Sequence, residues 1–509
     1  MAYELFCQSI QGAGHIKRGM PCEDFGRKHE CEEFKIFVLG DGHGDSNCPR
    51  SSLGSKLVCE IAVDELREFA MEIKKHKWEY KLLCEKESEK LVYQLVSSIF
   101  GQWSLRVKED FKNHPLTEEE EIASSECIQY YRRGEKIEHI YGTTFLAGVM
   151  TPEYLLLLQQ GDGRCVVFDA NGDVSQPIPW DDRCIANVST SVCDPDSVVS
   201  CRFHVIDLKE NPIIACFLGS DGVEDSFGSM DMMHRYYRNE LLFAATTKID
   251  EYEKHLLETL PQISEYGSCD DITICGVIDL SAIESVSQKF INENEKTMIM
   301  DTINRTQERL NTMEPKLEYL QQRCTDANDW YTQLTVKYSK LEEESNKIHF
   351  FLKRLDKIKA EKEELEKEVQ IALDKKNSCI NEYNEYKQKY DSFISVKQEY
   401  EAKYMSISSP DSADTMAEAE QEPLEENTEI INISEVQPVK NAEPVFDDVI
   451  NVEEVEIDAQ NMDEDVTALN IEFEEIPIEE VALSDISAVE ALDENDIDIL
   501  GLSENKTEQ

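Results

Sequence analysis

Acidic residues stand beside glycines at the ends of several apolar runs in the first half of the chain. Asp41-Gly42-His43-Gly44 follows the run FKIFVLG, and Asp221-Gly222 follows the run CFLGS in the same way. Asp270-Asp271 lies just before the run ITICGVID, Glu23-Asp24 follows a basic pair, and Asp162 lies in the segment GDGR. Carboxylates that meet in one cleft repel one another unless cations neutralise them. Such hard oxygen ligands select Mg²⁺, Mn²⁺ or Ca²⁺ rather than zinc.

Each of these segments has a simpler interpretation when it is taken alone. An isolated Asp-Gly pair is usually a turn, Glu23-Asp24 indicates an acidic surface pair, and Asp270-Asp271 indicates a cap at the start of a strand. His43 by itself is more often a turn histidine than a catalyst. The hypothesis of a metal site therefore depends on all the segments together and on their order.

The strands and helices that must position these residues belong to one predicted domain, residues 1–280, which contains both types of element. Apolar, β-branched runs bounded by Gly, Asp, Asn or Pro predict strands; they cover residues 34–40, 144–150, 153–160, 164–169, 213–219 and 272–279. Apolar residues spaced three and four apart predict helices from Val58 to Ile73 and from Leu91 to Trp103. Because the strands come in adjacent pairs rather than alternating with helices, an α+β fold is favoured over a parallel sheet.

In their order and residue types, the acidic segments resemble the motifs of the metal-dependent protein phosphatases, the type 2C serine/threonine class. They look most similar to those of the prokaryotic members. The resemblance covers residues 1–280 and implies a four-layer αββα sandwich with a two-metal site at one edge. It rests on six motifs in the expected order: Lys17-Arg18 to Glu23-Asp24, Asp41-Gly42-His43-Gly44, Gly142-Thr143-Thr144, Gly161-Asp162-Gly163-Arg164, Ser220-Asp221-Gly222-Val223-Glu224-Asp225 and Asp270-Asp271-Ile272-Thr273.

The resemblance implies a ligand set for two Mn²⁺ or Mg²⁺ ions. By position in the motifs, Asp41 would bridge both ions, with Glu23 and the Gly42 carbonyl on one ion and Asp221 and Asp270 on the other. Two divalent ions that share a water lower its pKa, orient it for in-line attack on phosphorus and neutralise the phosphate. Hydrolysis would then need no covalent enzyme intermediate.

The resemblance also implies roles for residues around the two ions. Asp24 would hold waters beside the metals, and His43 would be the general acid that protonates the leaving serine or threonine oxygen. Asp162 and Asp225 match positions at which some members hold a third, weaker metal. The predicted ligand positions are all acidic apart from the Gly42 carbonyl, which argues against an inactive domain.

One motif departs from the family pattern. In most relatives an arginine that binds phosphate lies five residues before the Asp of the Glu-Asp pair, where this chain has Gly19. Arg18 could reach the site through a one-residue bulge, because its guanidinium fork matches phosphate geometry. Lys17 could serve instead as a point charge. The choice between these two residues stays open.

A long helical region is predicted over residues 283–406, where Glu, Lys, Gln, Leu and Tyr dominate. From Leu317 to Leu355, apolar positions fall alternately three and four apart, which indicates a coiled-coil seam. After Leu355 the seam shifts to Ile358 and continues to Ala372, as at a stutter. We expect this coiled coil to associate with itself, and the alternative is a single solvated helix.

The segment 407–509 is expected to be an acidic, disordered tail. It contains 32 acidic residues and two lysines from Pro410 onward, and almost no aromatic residues, so it cannot bury enough apolar surface to offset the entropy of ordering. Short aliphatic stretches, such as 430–435, 449–454 and 471–476, could add a strand to the sheet of a partner.

The charge of the chain limits the classes of partner that it can bind, and its cysteine usage indicates the cellular compartment. With 105 acidic and 51 basic residues the formal net charge is −54, which excludes nucleic acid or an anionic membrane as the main partner. No apolar run has the length of a membrane span, and no signal-peptide pattern begins the chain. The 16 cysteines are scattered and mostly in apolar runs, so we expect reduced thiols and a cytoplasmic location.

The function predicted from the sequence is a metal-dependent protein serine/threonine phosphatase. Its partners would be a phosphorylated protein substrate and an opposing serine/threonine kinase. The alternative is a catalytically weak or inactive phosphatase fold that binds phosphopeptides or acts as a coiled-coil scaffold. A further alternative keeps the hydrolase but gives it a small phosphorylated metabolite as substrate.

Overall fold

The computed structural model describes residues 3–185, 188–347 and 352–408. The predicted acidic tail from residue 409 onward, with its strand-adding stretches, lies outside the described residues.

Ten strands in the described residues form two antiparallel sheets, which we call sheet A and sheet B. Sheet A has the strand order β1-β10-β9-β6-β7, and sheet B has the order β2-β3-β4-β5-β8. The strands are β1 (Glu4–Ile10), β2 (Asp24–Glu30), β3 (Lys35–Asp41), β4 (Phe145–Met150), β5 (Tyr154–Gln160), β6 (Arg164–Asp169), β7 (Val174–Ser175), β8 (Arg202–Asp207), β9 (Ile213–Gly219) and β10 (Ile272–Ile278).

Twelve α-helices complete the described part of the chain. They are α1 (Ala13–Arg18), α2 (Ser51–His76), α3 (Glu79–Leu82), α4 (Glu85–Asn113), α5 (Glu118–Ala123), α6 (Ile128–Arg132), α7 (Ser197–Ser200), α8 (Asp221–Glu224), α9 (Met230–Ala244), α10 (Ile249–Tyr266), α11 (Ser287–Lys347) and α12 (Leu352–Ser408). Two 3-10 helices lie at Ile137–Tyr141 and Ile283–Val286.

The two sheets lie face to face between two layers of helices, because their strands are apolar on both faces. In β3, Ile36 and Val38 pack against α2 and α4, while Phe37 and Leu39 face the interior between the sheets. This division follows from the alternation of side chains along a strand. On the far side, sheet A is covered by α9 and α10. The predicted four-layer αββα sandwich is confirmed.

All six strands predicted from apolar runs are present, and four strands were not predicted. The four are β1, β2, β7 and β8. In β2, only Asp24 is buried, and in β8 no residue is buried. Half-exposed strands of this kind lack the continuous apolar run that marks a buried strand.

Helices α11 and α12 pair with each other in antiparallel orientation. Cys324 Sγ donates to the Cys379 carbonyl oxygen at 3.0 Å. Nearby, Arg323 lies 3.1 Å from Glu382, and further along α11 Glu342 meets Lys362 at 2.7 Å. Residues later in α11 thus meet residues earlier in α12.

The predicted heptad seam is the face of α11 that packs in this hairpin. Leu320, Cys324 and Ala327 are buried against Cys379 and Tyr383 of α12. The expected pairing between two chains therefore gains no support, since in the described residues the seam is covered by the same chain. A long helical segment follows the two-sheet domain, as predicted, but a coiled coil is not confirmed.

The first turns of α11 belong to the globular part of the chain. One compact unit extends to Asp301, and a second begins at Thr302. Phe290 is fully buried and packs edge-on against Phe168 of β6, with ring centroids 5.6 Å apart. Asn294 accepts from Arg238 Nη1 at 3.0 Å and donates to Asn239 Oδ1 at 2.7 Å. The domain bounds from the sequence, at 280, 283 and 406, stay predictions.

All sixteen cysteines lie within the described residues, and none of them forms a disulfide there. Among the helices in the described ranges, none is both long and apolar enough to span a lipid bilayer.

We expect Phe290→Ala to destabilise the globular unit strongly. The substitution leaves a cavity among buried rings, and truncations of this kind cost about 3–5 kcal/mol. Thermal unfolding of the full chain measures the effect, with Ile291→Ala as the matched control because Ile291 is half exposed. Equal melting temperatures for the two variants would show that α11 contributes nothing to this core.

Candidate active site

Strand ends from both sheets meet at one edge of the sandwich and carry the predicted acidic residues there. In sheet B, the start of β2 is paired with the end of β3, so that Asp24 lies opposite Asp41. In sheet A, Asp221 begins α8 directly after the end of β9, and Asp270 precedes the start of the neighbouring strand β10. Antiparallel pairing thus brings together segments that lie up to about 250 residues apart in the chain, because the end of one strand lies beside the start of its neighbour.

Glu23 is held rigidly beside the turn that follows β3. Its side chain is buried, and Ser51 Oγ donates to Glu23 Oε2 at 2.7 Å. Its carbonyl oxygen accepts from Ser55 Oγ at 2.6 Å and from the Gly42 amide at 3.2 Å. Gly42 is required here, since a Cβ atom would lie only 2.9 Å from that carbonyl oxygen.

Asp24, Asp41 and Asp221 form the centre of the acidic cluster. Burial raises the pKa of Asp41 well above its usual range, and the neighbouring charges of Asp221 and Asp24 raise it further. The pKa of Asp24 is raised in the same way, by burial and then by Asp271 and Asp221. Burial raises the pKa of Asp221 to about 7, partly offset by a hydrogen bond from Asp41. These carboxylates are therefore crowded too closely to ionise together without added positive charge.

Asp162 and Asp225 lie at the outer side of this cluster. Ser189 Oγ donates to Asp162 Oδ1 at 2.8 Å, and the charge of Asp162 raises the pKa of both Asp41 and Asp221. The pKa of Asp225 is raised by burial, then by Glu224 and Asp162. The structure thus brings the two positions predicted for a third metal next to the central carboxylates.

His15 and Asp271 were not predicted as site residues, and the structure places both beside Asp270. His15 Nδ1 lies 2.9 Å from Asp271 Oδ2, and His15 Nε2 lies 3.5 Å from Asp270 Oδ1. Their ligand atoms all lie within 4.8 Å of one another, so this trio could hold a metal ion. A lone histidine in the segment GAGH gives no sequence signal, because its partners lie 255 and 256 residues later.

The carboxylate of Asp271 also accepts two backbone hydrogen bonds. Its Oδ1 accepts from the Gly12 amide at 2.6 Å, and its Oδ2 accepts from the Glu23 amide at 2.5 Å. Because Asp271 is buried, these bonds fix the start of β10 to the segments that carry His15 and Glu23.

His43 lies against Gly142 at the wall of the site. Its amide donates to the Gly142 carbonyl oxygen at 3.3 Å, and a Cβ atom on Gly142 would lie 2.6 Å from the His43 ring. Burial lowers the pKa of His43, and the charge of Asp162 opposes this effect. Gly142 therefore lets the imidazole ring sit close to the backbone of the predicted Gly-Thr-Thr motif.

Lys17 and Arg18 lie on the exposed side of α1. Arg18 Nε donates to the Gly14 carbonyl oxygen at 3.2 Å within this helix, and both side chains are exposed. Gly19 ends the helix in the left-handed conformation at φ 68°. The structure thus shows no contact of either basic residue with the acidic cluster in the described residues.

The protein phosphatase 2C family model matches residues 11–260. The N-terminal domain belongs to the protein phosphatase 2C family. No curated protein matches the chain.

Solved structures of bacterial phosphatases of this class are similar to the phosphatase 2C domain. A bacterial serine phosphatase is 17% identical, with a TM-score of 0.35 over 54% of this chain and 97% of its own. Serine/threonine phosphatase Stp1 from Staphylococcus aureus is 16% identical, with a TM-score of 0.34 over 54% and 94%. The catalytic domain of PstP, in complex with two manganese ions, is 11% identical, with a TM-score of 0.30 over 54% and 97%.

The residues of this phosphatase 2C domain fit divalent cations. Asp24 Oδ2 is buried and has no hydrogen-bond partner in the described part of the chain, and the surrounding groups are hard oxygen donors. A buried group of carboxylates with raised pKa values is electrostatically unfavourable in its ionised form, and bound cations remove this cost.

The raised pKa values predict that the metal-free protein becomes less stable as the pH rises. The pKa of Asp221 is 3.8 ordinarily and about 7 in the folded state. Between these values the folded state binds more protons than the unfolded state, so the free energy of unfolding falls with increasing pH. We expect the melting temperature in chelator to decrease across this interval.

Asp221→Asn provides the comparison, because an amide does not titrate. The variant should melt at a higher temperature than the wild type at pH 7 in chelator, with a smaller dependence on pH. Adding Mn²⁺ at pH 7 should stabilise the wild type more than the variant. If the pH dependence of melting is identical in the two proteins, the folded-state pKa of Asp221 is not raised.

Proposed function

We propose that this protein is a metal-dependent protein serine/threonine phosphatase that hydrolyses phosphoserine and phosphothreonine. The observation that carries this proposal is the convergence of Glu23, Asp24, Asp41, Asp221 and Asp270 at one edge of a phosphatase 2C domain. Such a group of carboxylates has one clear chemical use, which is to hold hard divalent cations for phosphate chemistry.

The proposed ligand set follows the family motif. Glu23, Asp41 and the Gly42 carbonyl would hold one ion, and Asp221 and Asp270 would hold the other, with Asp41 shared. Either Mn²⁺ or Mg²⁺ suits these oxygen ligands, and the family is metal-dependent. The structure of PstP was solved with two manganese ions.

A third ion is proposed between Asp162 and Asp225. Burial, Glu224 and the charge of Asp162 raise the pKa of Asp225, so a cation near the two carboxylates would relieve their repulsion. Ser189 orients Asp162 by donating to its Oδ1 atom.

In the proposed hydrolysis, the cations and the residues of the chain would have separate roles. When bound, two cations neutralise the phosphate dianion and activate the attacking water. His43, fixed against Gly142, would donate a proton to the leaving oxygen of the serine or threonine. Burial lowers the pKa of His43, and the charges of Asp162 and Asp194 partly oppose this effect. Asp24 would accept hydrogen bonds from waters around the ions through its unpartnered oxygen.

The partners follow from this activity. The substrate would be a phosphorylated protein, and the opposing enzyme a serine/threonine kinase. Sixteen free thiols agree with a reducing compartment such as the cytoplasm. The alternative of an inactive binding module gains no support from the site, since every predicted carboxylate position is acidic.

We expect the full chain to hydrolyse a phosphothreonine peptide in Mn²⁺ and to lose this activity in chelator. Asp221→Asn should lower kcat/KM by about a hundredfold or more, because a lost metal contact costs several kcal/mol in the transition state. Asp250→Asn, on the exposed first turn of α10, should retain full activity. Folded, metal-binding protein without turnover would contradict the proposal and favour a phosphopeptide-binding module.

We propose that Arg18 or Lys17 contacts the phosphate. The double variant Lys17→Ala/Arg18→Ala should raise KM for the peptide by about tenfold, since hydrogen bonds between charged groups contribute about 1.5–3 kcal/mol. The two single variants decide which residue is responsible. An unchanged KM in the double variant would show that neither residue binds the phosphate.

A further inference from the structure

A cleft of about 360 Å³ lies at the end of sheet B opposite to the acidic cluster. It is formed by the residues before β3, the last turns of α2, the start of α3 and the turn between β4 and β5. Strand β3 runs from this cleft to Asp41, and seven residues of strand span about 20 Å. The cleft is therefore separate from the candidate active site.

The charged residues that line the cleft are four glutamates and one lysine. The glutamates are Glu32, Glu33, Glu79 and Glu153. Lys74 lies 2.7 Å from Glu33 at an exposed position, and Glu153 has only a long contact of 3.9 Å with Lys209. Neither Glu32 nor Glu79 has an ion pair or side-chain hydrogen bond shown in the described ranges. The cleft thus carries an excess of negative charge.

Tyr154 supplies an independent sign that the cleft takes a ligand. Its side chain is 1% exposed, it lines the cleft, and its hydroxyl has no hydrogen-bond partner among the described residues. Burial raises the pKa of Tyr154, and the charges of Glu79 and Glu153 raise it further. Tyr154, Glu79 and Glu153 thus line the same cleft, and a buried hydroxyl without a partner is energetically unfavourable.

The apolar residues that line the cleft determine which shape of ligand can fit. Phe34, Ala70 and Ile73 are buried apolar residues at the base of the cleft. A long side chain with a methylene stem and a cationic head fits an apolar base and an acidic rim together. A guanidinium group also offers five N–H donors, so it can serve both the carboxylates and the Tyr154 oxygen.

We propose that this cleft is a docking site for the side chain of an arginine on a segment of a partner protein. Glu79 and Glu153 pair with the guanidinium group, the Tyr154 oxygen accepts one of its hydrogen bonds, and the apolar base covers the stem. The site goes beyond the proposed phosphatase activity and does not depend on it, since no residue of the catalytic cluster takes part.

Calorimetric titration of the full chain with the peptide acetyl-Gly-Arg-Gly-amide tests the proposal. We expect saturable binding that weakens as the salt concentration rises. Tyr154→Phe removes only the hydroxyl, and Glu79→Gln removes only a charge. Each should weaken binding by about tenfold, the effect of losing one hydrogen bond to a charged group. Glu258→Gln, at an exposed position on α10, is the matched control and should bind like the wild type.

A second peptide, with citrulline in place of arginine, has the same shape without the charge and should not bind. Three outcomes would overturn the proposal: no saturable binding of the arginine peptide, equal binding of the citrulline peptide, or wild-type affinity in both Tyr154→Phe and Glu79→Gln. Melting temperatures of the variants near that of the wild type show that any loss of binding is local. Because the titration involves no phosphate, its result is independent of the hydrolysis assay.

Discussion

Repulsion among buried carboxylates is the constraint on which the rest of the domain depends. Asp24, Asp41 and Asp221 have raised pKa values because burial and their mutual charges oppose ionisation. Such a cluster persists only if the surrounding fold holds it, and here two sheets with apolar faces supply that rigidity. The stability that the core provides is thus used to keep together groups that would otherwise separate, which is the arrangement a cation-binding site requires.

Backbone hydrogen bonds fix the segments that carry the acidic cluster. Asp271 accepts from the amides of Gly12 and Glu23, and Thr144 donates its amide to the Asp41 carbonyl oxygen at 2.8 Å. These bonds cross between sheets and loops that are distant in the chain. The same architecture leaves the opposite end of sheet B free for different chemistry, where Tyr154 and several glutamates form a separate acidic cleft.

The local sequence pattern was enough to predict the buried strands, the long helices and the acidic motifs that meet at one edge of the sandwich. Continuous apolar runs predicted β3, β4, β5, β6, β9 and β10, because strands buried on both faces need such runs. Half-exposed strands such as β2 and β8 carry no such signal and were missed. The seam from Leu317 was predicted as an apolar face, and in the described residues helix α12 of the same chain covers part of it. Periodicity shows which face of a helix is apolar, not which helix covers it.

The sequence by itself determined the acidic segments, their order and the family they resemble, because these are properties of short stretches of residues. Only the tertiary structure decided the partners of His15, the exposed position of Arg18 and the unpartnered hydroxyl of Tyr154. Each depends on contacts or burial created by strand pairing between distant segments. One-dimensional patterns describe which residues can act, whereas antiparallel pairing and close packing decide which of them meet.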